Sequence, residues 1–261
     1  MDNTNRFDLM MESLNELAEE DRAHRPPPAT GLPTLKSVLA DKDSIPSQAL
    51  FLGLAEDGLP VLLNLYDPIP GPILITGDKS SGKTLLLQMI ARAAESLHAA
   101  SEVQYGVITA HPDEWTQFQE SKNNAGIHYL QADSTPELLR SLVTWAHNNK
   151  GNQQSILLLI DDLAEVLKLE GQAEQDLRWL LLRGTSRRVW PIITLNAGRA
   201  EQMKEWMSFF RTRLFGRVHQ PGDSQSVTEL PDIPLHRLVA GSQFAMREGN
   251  NWLNFWVPTI D

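Results

Sequence analysis

Residues 73–84 read Ile-Leu-Ile-Thr-Gly-Asp-Lys-Ser-Ser-Gly-Lys-Thr, an order that few folds accept. The apolar run predicts a buried strand, and the spacing of Leu85, Leu86, Met89, Ile90 and Ala93 predicts a helix right after it. Between them, Gly77 and Gly82 frame four residues and are followed by Lys83 and Thr84. Glycines let the backbone turn tightly, so the loop from Gly77 through Asp78, Lys79, Ser80, Ser81 and Gly82 to Leu85 points its N–H groups at phosphate oxygens. The helix start adds the positive end of its dipole. Lys83 is then placed to reach β- and γ-phosphates, and the Thr84 hydroxyl to bind Mg²⁺. A Gly-rich turn arising by chance would lack the flanking strand and helix.

Residues 155–162 read Ser-Ile-Leu-Leu-Leu-Ile-Asp-Asp. Five apolar residues ending in a carboxylate suit a central parallel strand buried on both faces. The acids then sit at the strand's C-terminal edge, where open α/β sheets bind ligands. Asp161 is expected to hold Mg²⁺, directly or through water, and Asp162 to orient the attacking water beside the γ-phosphate. An ordinary strand followed by an Asp helix cap has the same local pattern. The phosphate loop upstream favours the nucleotide reading, with ATP as the ligand.

The chain has 261 residues, room for one large α/β domain and a short appendage. It has no cysteine, which excludes disulfides, zinc–thiolate sites and cysteine nucleophiles. The N-terminus lacks the basic and apolar regions of a signal peptide, and no apolar run is long enough to span a bilayer. A cytoplasmic protein without a membrane segment is expected. A net charge of −10 argues against a surface that coats nucleic acid non-specifically. The charge is uneven, however. Residues 178–217 hold nine basic residues against Glu201 and Glu205, a local excess of +7, and residues 1–22 carry −5. The basic stretch reads either as an anion-facing surface or as solvated helix faces.

Along the chain, residues 1–25 read as an acidic helical arm with a narrow stripe (Phe7, Leu9 or Met10, Leu14, Leu17, Ala18), and residues 26–46 as a proline-rich linker (Pro26, Pro27, Pro28, Pro33). The core domain is expected over 47–261. Residues 49–54 and 59–65 flank Glu56-Asp57-Gly58, a hairpin signal, with Pro60 suited to an edge strand. Strands are expected at 103–109, 128–131, 189–195 and 213–218, and helices at 133–148, 163–169, 172–183 and 203–210. A closing hairpin is expected around 248–251. The alternation predicts an α/β fold, a mainly parallel sheet with helices on both faces.

This order of elements resembles the motor domain of the FtsK/HerA class of P-loop ATPases, the ring-forming DNA pumps. The likeness runs over residues 49–257. It rests on the hairpin at Glu56-Asp57-Gly58-Leu59-Pro60-Val61, on Ile160-Asp161-Asp162-Leu163-Ala164-Glu165-Val166-Leu167, on the segment ending at Asn196, and on Thr212-Arg213, Val218 and Asp223-Ser224. It implies a RecA-like P-loop NTPase fold, ATP and Mg²⁺, a ring such as a hexamer, and double-stranded DNA as partner. It further implies that Asn196 senses the γ-phosphate and that Arg213, Arg187, Arg188 or Arg217 reaches a neighbouring subunit's nucleotide. The sequence departs from the family at Asp162, where glutamate is usual. One methylene less sets the carboxylate back by about 1.5 Å, and misplacement near 1 Å costs on the order of 10²-fold in rate. Asn196-Ala197-Gly198 replaces Gln-Arg-Pro, Gln225 replaces an arginine, and Asp78 and Lys79 replace uncharged residues. With no membrane segment or DNA-reading domain of the cell-division type, a motor core with an acidic arm is expected. The other reading is a nucleotide-gated adaptor with weak hydrolysis, docking a partner protein through residues 1–25. A small-molecule kinase is disfavoured, because no lid or acceptor site is evident.

Overall fold

The computed structural model describes residues 31–261 other than 41–44, 150, 152–153, 170 and 249–250. The chain begins with a short helix α1 (Leu35–Val38), then a hairpin of β1 (Ala49–Ala55) and β2 (Pro60–Asn64). The Asp57 carboxylate accepts from the Leu59 N–H at 2.9 Å and Gly58 has φ +83°, so Glu56-Asp57-Gly58 turns as its composition predicts. Next come β3 (Ile73–Gly77), α2 (Lys83–Leu97), β4 (Val103–Thr109), a 3-10 turn at Pro112–Phe118, β5 (Asn124–Tyr129) and α3 (Ser134–Asn148). They are followed by β6 (Ser155–Ile160), α4 (Leu163–Val166), α5 (Gln172–Arg183), β7 (Val189–Asn196), α6 (Lys204–Met207), β8 (Thr212–Phe215) and α7 (Pro221–Thr228). The hairpin β9 (Gln243–Glu248) and β10 (Asn251–Trp256) closes the order.

All ten strands form one sheet, ordered β2-β1-β10-β9-β8-β3-β7-β6-β4-β5. From β8 to β5 every pairing is parallel, and from β8 to β2 every pairing is antiparallel. Pro60 lies on the outermost strand, where a missing N–H costs no ladder bond. In β3 and β6 every residue is buried, as strands covered on both faces must be. Alternate side chains serve separate cores. Ile73, Ile75, Leu157 and Leu159 pack with Leu86, Leu87, Met89 and Ile90 of α2 on one face. Leu74, Ile156, Leu158 and Ile160 pack with Leu139, Leu142, Leu177 and Leu180 of α3 and α5 on the other.

Residues 33–39 differ from the expected linker. Thr34 bridges Thr259 in parallel, the Leu35 N–H donates to the Thr259 carbonyl at 2.8 Å, and Leu35 and Leu39 are buried. Two apolar side chains four apart outweigh the proline composition, so residues 33–261 form one unit. The arm at 1–25 lies outside the described residues. The helix expected at 203–210 is only the single turn Lys204–Met207, and the strand expected at 213–218 ends at Phe215. Beyond Phe215 the backbone leaves the ladder to follow the phosphate loop. Among the described residues, no helix is long and apolar enough to cross a membrane.

Candidate functional site

Parallel pairing sets the ends of three strands side by side. Gly77 at the tip of β3 registers with Asn196 at the tip of β7, and Ile160 of β6 registers with Ile193, so Asp161 and Asp162 emerge beside Thr194. A cavity of about 560 Å³ opens there. Of the expected residues, Lys79, Ser80, Gly82, Lys83, Thr84, Leu85, Asp161, Asp162 and Asn196 line it. Gly77, Asp78, Ser81, Arg187, Arg188 and Arg213 do not.

The loop is held by the backbone. Gly82 has φ +97°, and a Cβ there would lie 2.7 Å from the Gly241 Cα, so only glycine fits. The Gly241 N–H donates to the Ser81 carbonyl at 3.0 Å, which brings the approach to β9 under the loop. The N–H groups of Lys79, Ser80, Gly82, Lys83, Thr84 and Leu85 have no acceptor among the described residues. The last three belong to the first turn of α2, where a helix leaves donors free. This set of unspent donors fits a phosphate chain. The N–H groups of Asp78 and Ser81 are used internally, on the Arg217 and Asp78 carbonyls. The Asp78 carboxylate accepts from the N–H and Nδ1 of His219, both at 2.8 Å. Asp78 therefore ties the loop to the strand exit at 216–219 and does not face the cavity.

Lys83 arches over the loop, its Nζ donating to the Gly77 carbonyl at 3.1 Å and the Asp78 carbonyl at 2.7 Å. Burial lowers its pKa, opposed by the negative charge of Asp161, Asp162 and Asp78. Across the cavity the Thr84 hydroxyl donates to Asp161 Oδ2 at 3.0 Å, and the Thr194 hydroxyl donates to Asp161 Oδ1 at 2.9 Å. Thr194 in turn accepts from the Asp162 N–H at 2.8 Å. Both Asp161 oxygens thus accept a hydroxyl hydrogen bond. A hydroxyl and one carboxylate are the protein share of a Mg²⁺ site completed by phosphate and water. Among the described residues no cluster of three or more metal-ligating side chains exists, so a dedicated cation cage is absent.

Asp162 caps a helix and also reaches the cavity. Its Oδ1 accepts from the Ala164 N–H at 3.0 Å and caps α4, while its side chain lines the cavity. Its φ is +77°, a costly conformation for a non-glycine residue that turns the chain sharply off β6. Burial raises its pKa, offset by the Ala164 N–H and by Arg199. Asn196 spends its Oδ1 on the Gly198 N–H at 3.3 Å and stays on the cavity wall.

Of the four arginines named from sequence, Arg217 meets the loop only through its backbone carbonyl, which accepts from the Asp78 N–H at 2.9 Å, and the other three lie elsewhere. Arg213 registers with Leu74, low on the sheet, and donates to the Met207 and Val227 carbonyls at 3.1 and 3.2 Å and to Glu229 at 2.9 Å. Its guanidinium is consumed within its own chain and is not presented to a neighbour. Arg188 precedes β7, at the sheet edge opposite the cavity, with its guanidinium 3.7 Å from the centre of the Tyr66 ring. Arg187 is beside it and exposed. Four of the nine basic residues in the +7 stretch are paired: Arg178 with Glu174 and Glu205, Arg199 with Glu165, Lys204 with Glu201, Arg213 with Glu229.

Sequence reasoning passed over Thr194, Glu165, Arg199, His219 and Gly241. Thr194 is the one polar residue inside the otherwise apolar run of 189–195, a signal that was available. The other four depend on contacts distant in sequence.

No family model matches the sequence, and no curated protein matches it. Solved structures do match. EccC from Thermomonospora curvata (ATPases 2 and 3, in complex with a signal sequence peptide) is 16% identical over 91% of this chain and 46% of its own, with a TM-score of 0.67. EssC from Geobacillus thermodenitrificans (ATPases 2 and 3) is 13% identical over 90% of this chain and 48% of its own, with a TM-score of 0.67. The fold is that of the P-loop ATPases. The pCW3 conjugation coupling protein TcpA, in a monomer form with ATPγS, matches 91% of this chain and 71% of its own at 16% identity, with a TM-score of 0.63. The chain spans about half the length of the EccC and EssC structures. The P-loop fold implied by the FtsK/HerA resemblance is therefore the observed one.

Proposed function

We propose that this chain is a Mg²⁺-dependent ATPase that assembles into a ring, as in a hexamer, and works as a motor on double-stranded DNA. The observation that carries the ATPase reading is the chain Thr84–Asp161–Thr194, which holds a cation-binding carboxylate in place next to a second carboxylate, opposite a lysine arched over free loop N–H groups. When bound, Mg²⁺ would neutralise negative charge on the phosphates. Thr84 and Asp161 would hold the cation. Lys83 and the free N–H groups of the loop spread the remaining phosphate charge. Asp162 positions the attacking water, and Asn196 presents its amide at the tip of β7. Across a subunit boundary, Arg187 is the best donor of the four arginines, since it is exposed and its guanidinium has no partner among the described residues.

DNA as the polymer is supported by the FtsK/HerA resemblance and by the likeness to a conjugation coupling protein. The EccC structure holds a signal sequence peptide, so a polypeptide is the competing cargo. The second reading, a nucleotide-gated adaptor with weak hydrolysis that recruits a partner through residues 1–25, is favoured by the capping duty of Asp162 and by the pairing within the basic stretch. Steady-state ATPase assays with and without linear double-stranded DNA, on protein sized by light scattering, separate these. An oligomer stimulated several-fold by DNA, with a steep salt dependence, supports the motor. An oligomer indifferent to DNA moves the assignment to the adaptor, and absence of ATP binding overturns both.

A further inference from the structure

Arg199 closes the short turn after β7, the 3-10 turn Ala197–Arg199. The Asn196 side chain pins that turn by accepting from the Gly198 N–H. From there the Arg199 side chain crosses to α4, where Nη1 donates to Glu165 Oε1 at 2.9 Å and lies 3.9 Å from Asp162 Oδ2. Glu165 lines the cavity and is shared with Lys168. The Arg199 side chain is 42% exposed, and its Nε and Nη2 have no acceptor among the described residues. A guanidinium with four of its five N–H bonds free thus lies next to Asp162.

A partly exposed ion pair on a carboxylate that already serves a lysine is a weak hold. A terminal phosphate carries more charge and offers two oxygens to the two arms of a guanidinium, the geometry arginine favours. A diphosphate ends one phosphoryl group short of Asp162 and offers nothing at that point. Resting on the nucleotide reading given above, we propose that Arg199 senses the terminal phosphate in cis: it stays on Glu165 with a nucleoside diphosphate and transfers to the terminal phosphoryl oxygens of a triphosphate. The same transfer releases α4 from the turn after β7, so Glu165 acts as the parking place that sets how strongly the two nucleotides differ.

The two members of the pair then have opposite effects, which no purely structural ion pair produces. Affinities of the full chain for ADP and for a non-hydrolysable ATP analogue, both with Mg²⁺, test this by titration calorimetry. Arg199→Ala weakens the analogue by roughly 10- to 100-fold, the range of one charge-assisted hydrogen bond, and leaves ADP within about twofold. Arg199→Lys recovers part of the loss, because it restores charge without the fork. Glu165→Gln tightens the analogue by a few-fold and leaves ADP unchanged. Equal shifts for both nucleotides in Arg199→Ala, or a weakened analogue in Glu165→Gln, overturn the inference. If the wild-type chain binds neither nucleotide, the nucleotide reading itself fails. If it binds both and Arg199→Ala does not move their ratio, only the role of Arg199 fails. Melting temperatures of each variant show whether a loss of binding is a loss of fold.

Discussion

At the start of β7, Arg188 lies flat on the Tyr66 ring and exposed Arg187 stands beside it, with Ile69 also exposed on the loop before β3. At the end of the same strand, Thr194 links the Asp161 carboxylate to the Asp162 backbone N–H, Asn196 pins a turn, and Arg199 reaches across to Glu165. The first end is wet, with Tyr66, Ile69 and Arg187 exposed, though Arg188 there has φ +64°. The second is crowded, with Ser80, Gly82 and Asp162 all at positive φ around one cavity. One strand with two such unlike ends teaches that a residue's chemistry here follows its position on the sheet and not its type. An arginine at the wet end packs, and an arginine at the crowded end faces a carboxylate pair.

Changes at the crowded end should remove nucleotide chemistry and spare the fold, and changes low on the sheet should do the reverse. The largest expected effect is Lys83→Ala, which removes the one lysine over the loop carbonyls and weakens ATP by at least roughly 100-fold in equilibrium binding, with the melting temperature kept. Retained ATP affinity in that variant would falsify the assignment of this edge as the working one. Asp162→Asn follows, lowering turnover by about 10²- to 10⁴-fold while Mg·ATP stays bound. A wild-type rate there would leave Asp162 as a helix cap alone, whereas faster turnover in Asp162→Glu would show that the native carboxylate stands back from the water.

Arg213→Ala should then cost about 2–4 kcal/mol in urea unfolding, because two carbonyls and Glu229 lose a shared donor. ATP affinity should not move, and a selective loss of binding would break the contrast between the two regions. The smallest effects belong to the wet end. Arg188→Ala should cost about 0.5–1 kcal/mol through the lost stacking on Tyr66, and Arg187→Ala about 0.5 kcal/mol or less. A fall in turnover for Arg187→Ala that appears only in the assembled protein would mark it as the group that crosses between subunits.

The phosphate loop and the Asp161 strand were legible because each is a contiguous pattern whose meaning is local. Gly77 to Thr84 dictates its own turn, and the residues of β6 dictate their own burial. The hairpin around Gly58 and the edge position of Pro60 followed from the same kind of short-range rule. What failed depended on pairing across distance. Arg213 looked available because its acceptors, on Met207, Val227 and Glu229, belong to neighbouring segments that sequence does not bring together. Arg199 was counted as bulk charge because its partner Glu165 lies 34 residues earlier. Asp78 read as a departure from the family, and its reason, His219, is 141 residues away. Residues 33–39 read as linker because their proline content was visible and the bridge they make to Thr259 was not.

The contact between Gly82 and Gly241 has a consequence for biosynthesis. The loop that cradles phosphate is made early in the chain, yet its support arrives with Gly241 and with β9, which pairs β8 beside the loop's own strand. A ribosome-bound chain that has exposed the phosphate loop, α2 and even Asp161 therefore still lacks the neighbour that fixes Gly82. Such long-range closure is slow to form and leaves apolar strand edges uncovered in the meantime. Nucleotide cannot act as a folding template for the nascent amino-terminal half. It can stabilise the domain only when the last hairpin has joined the sheet.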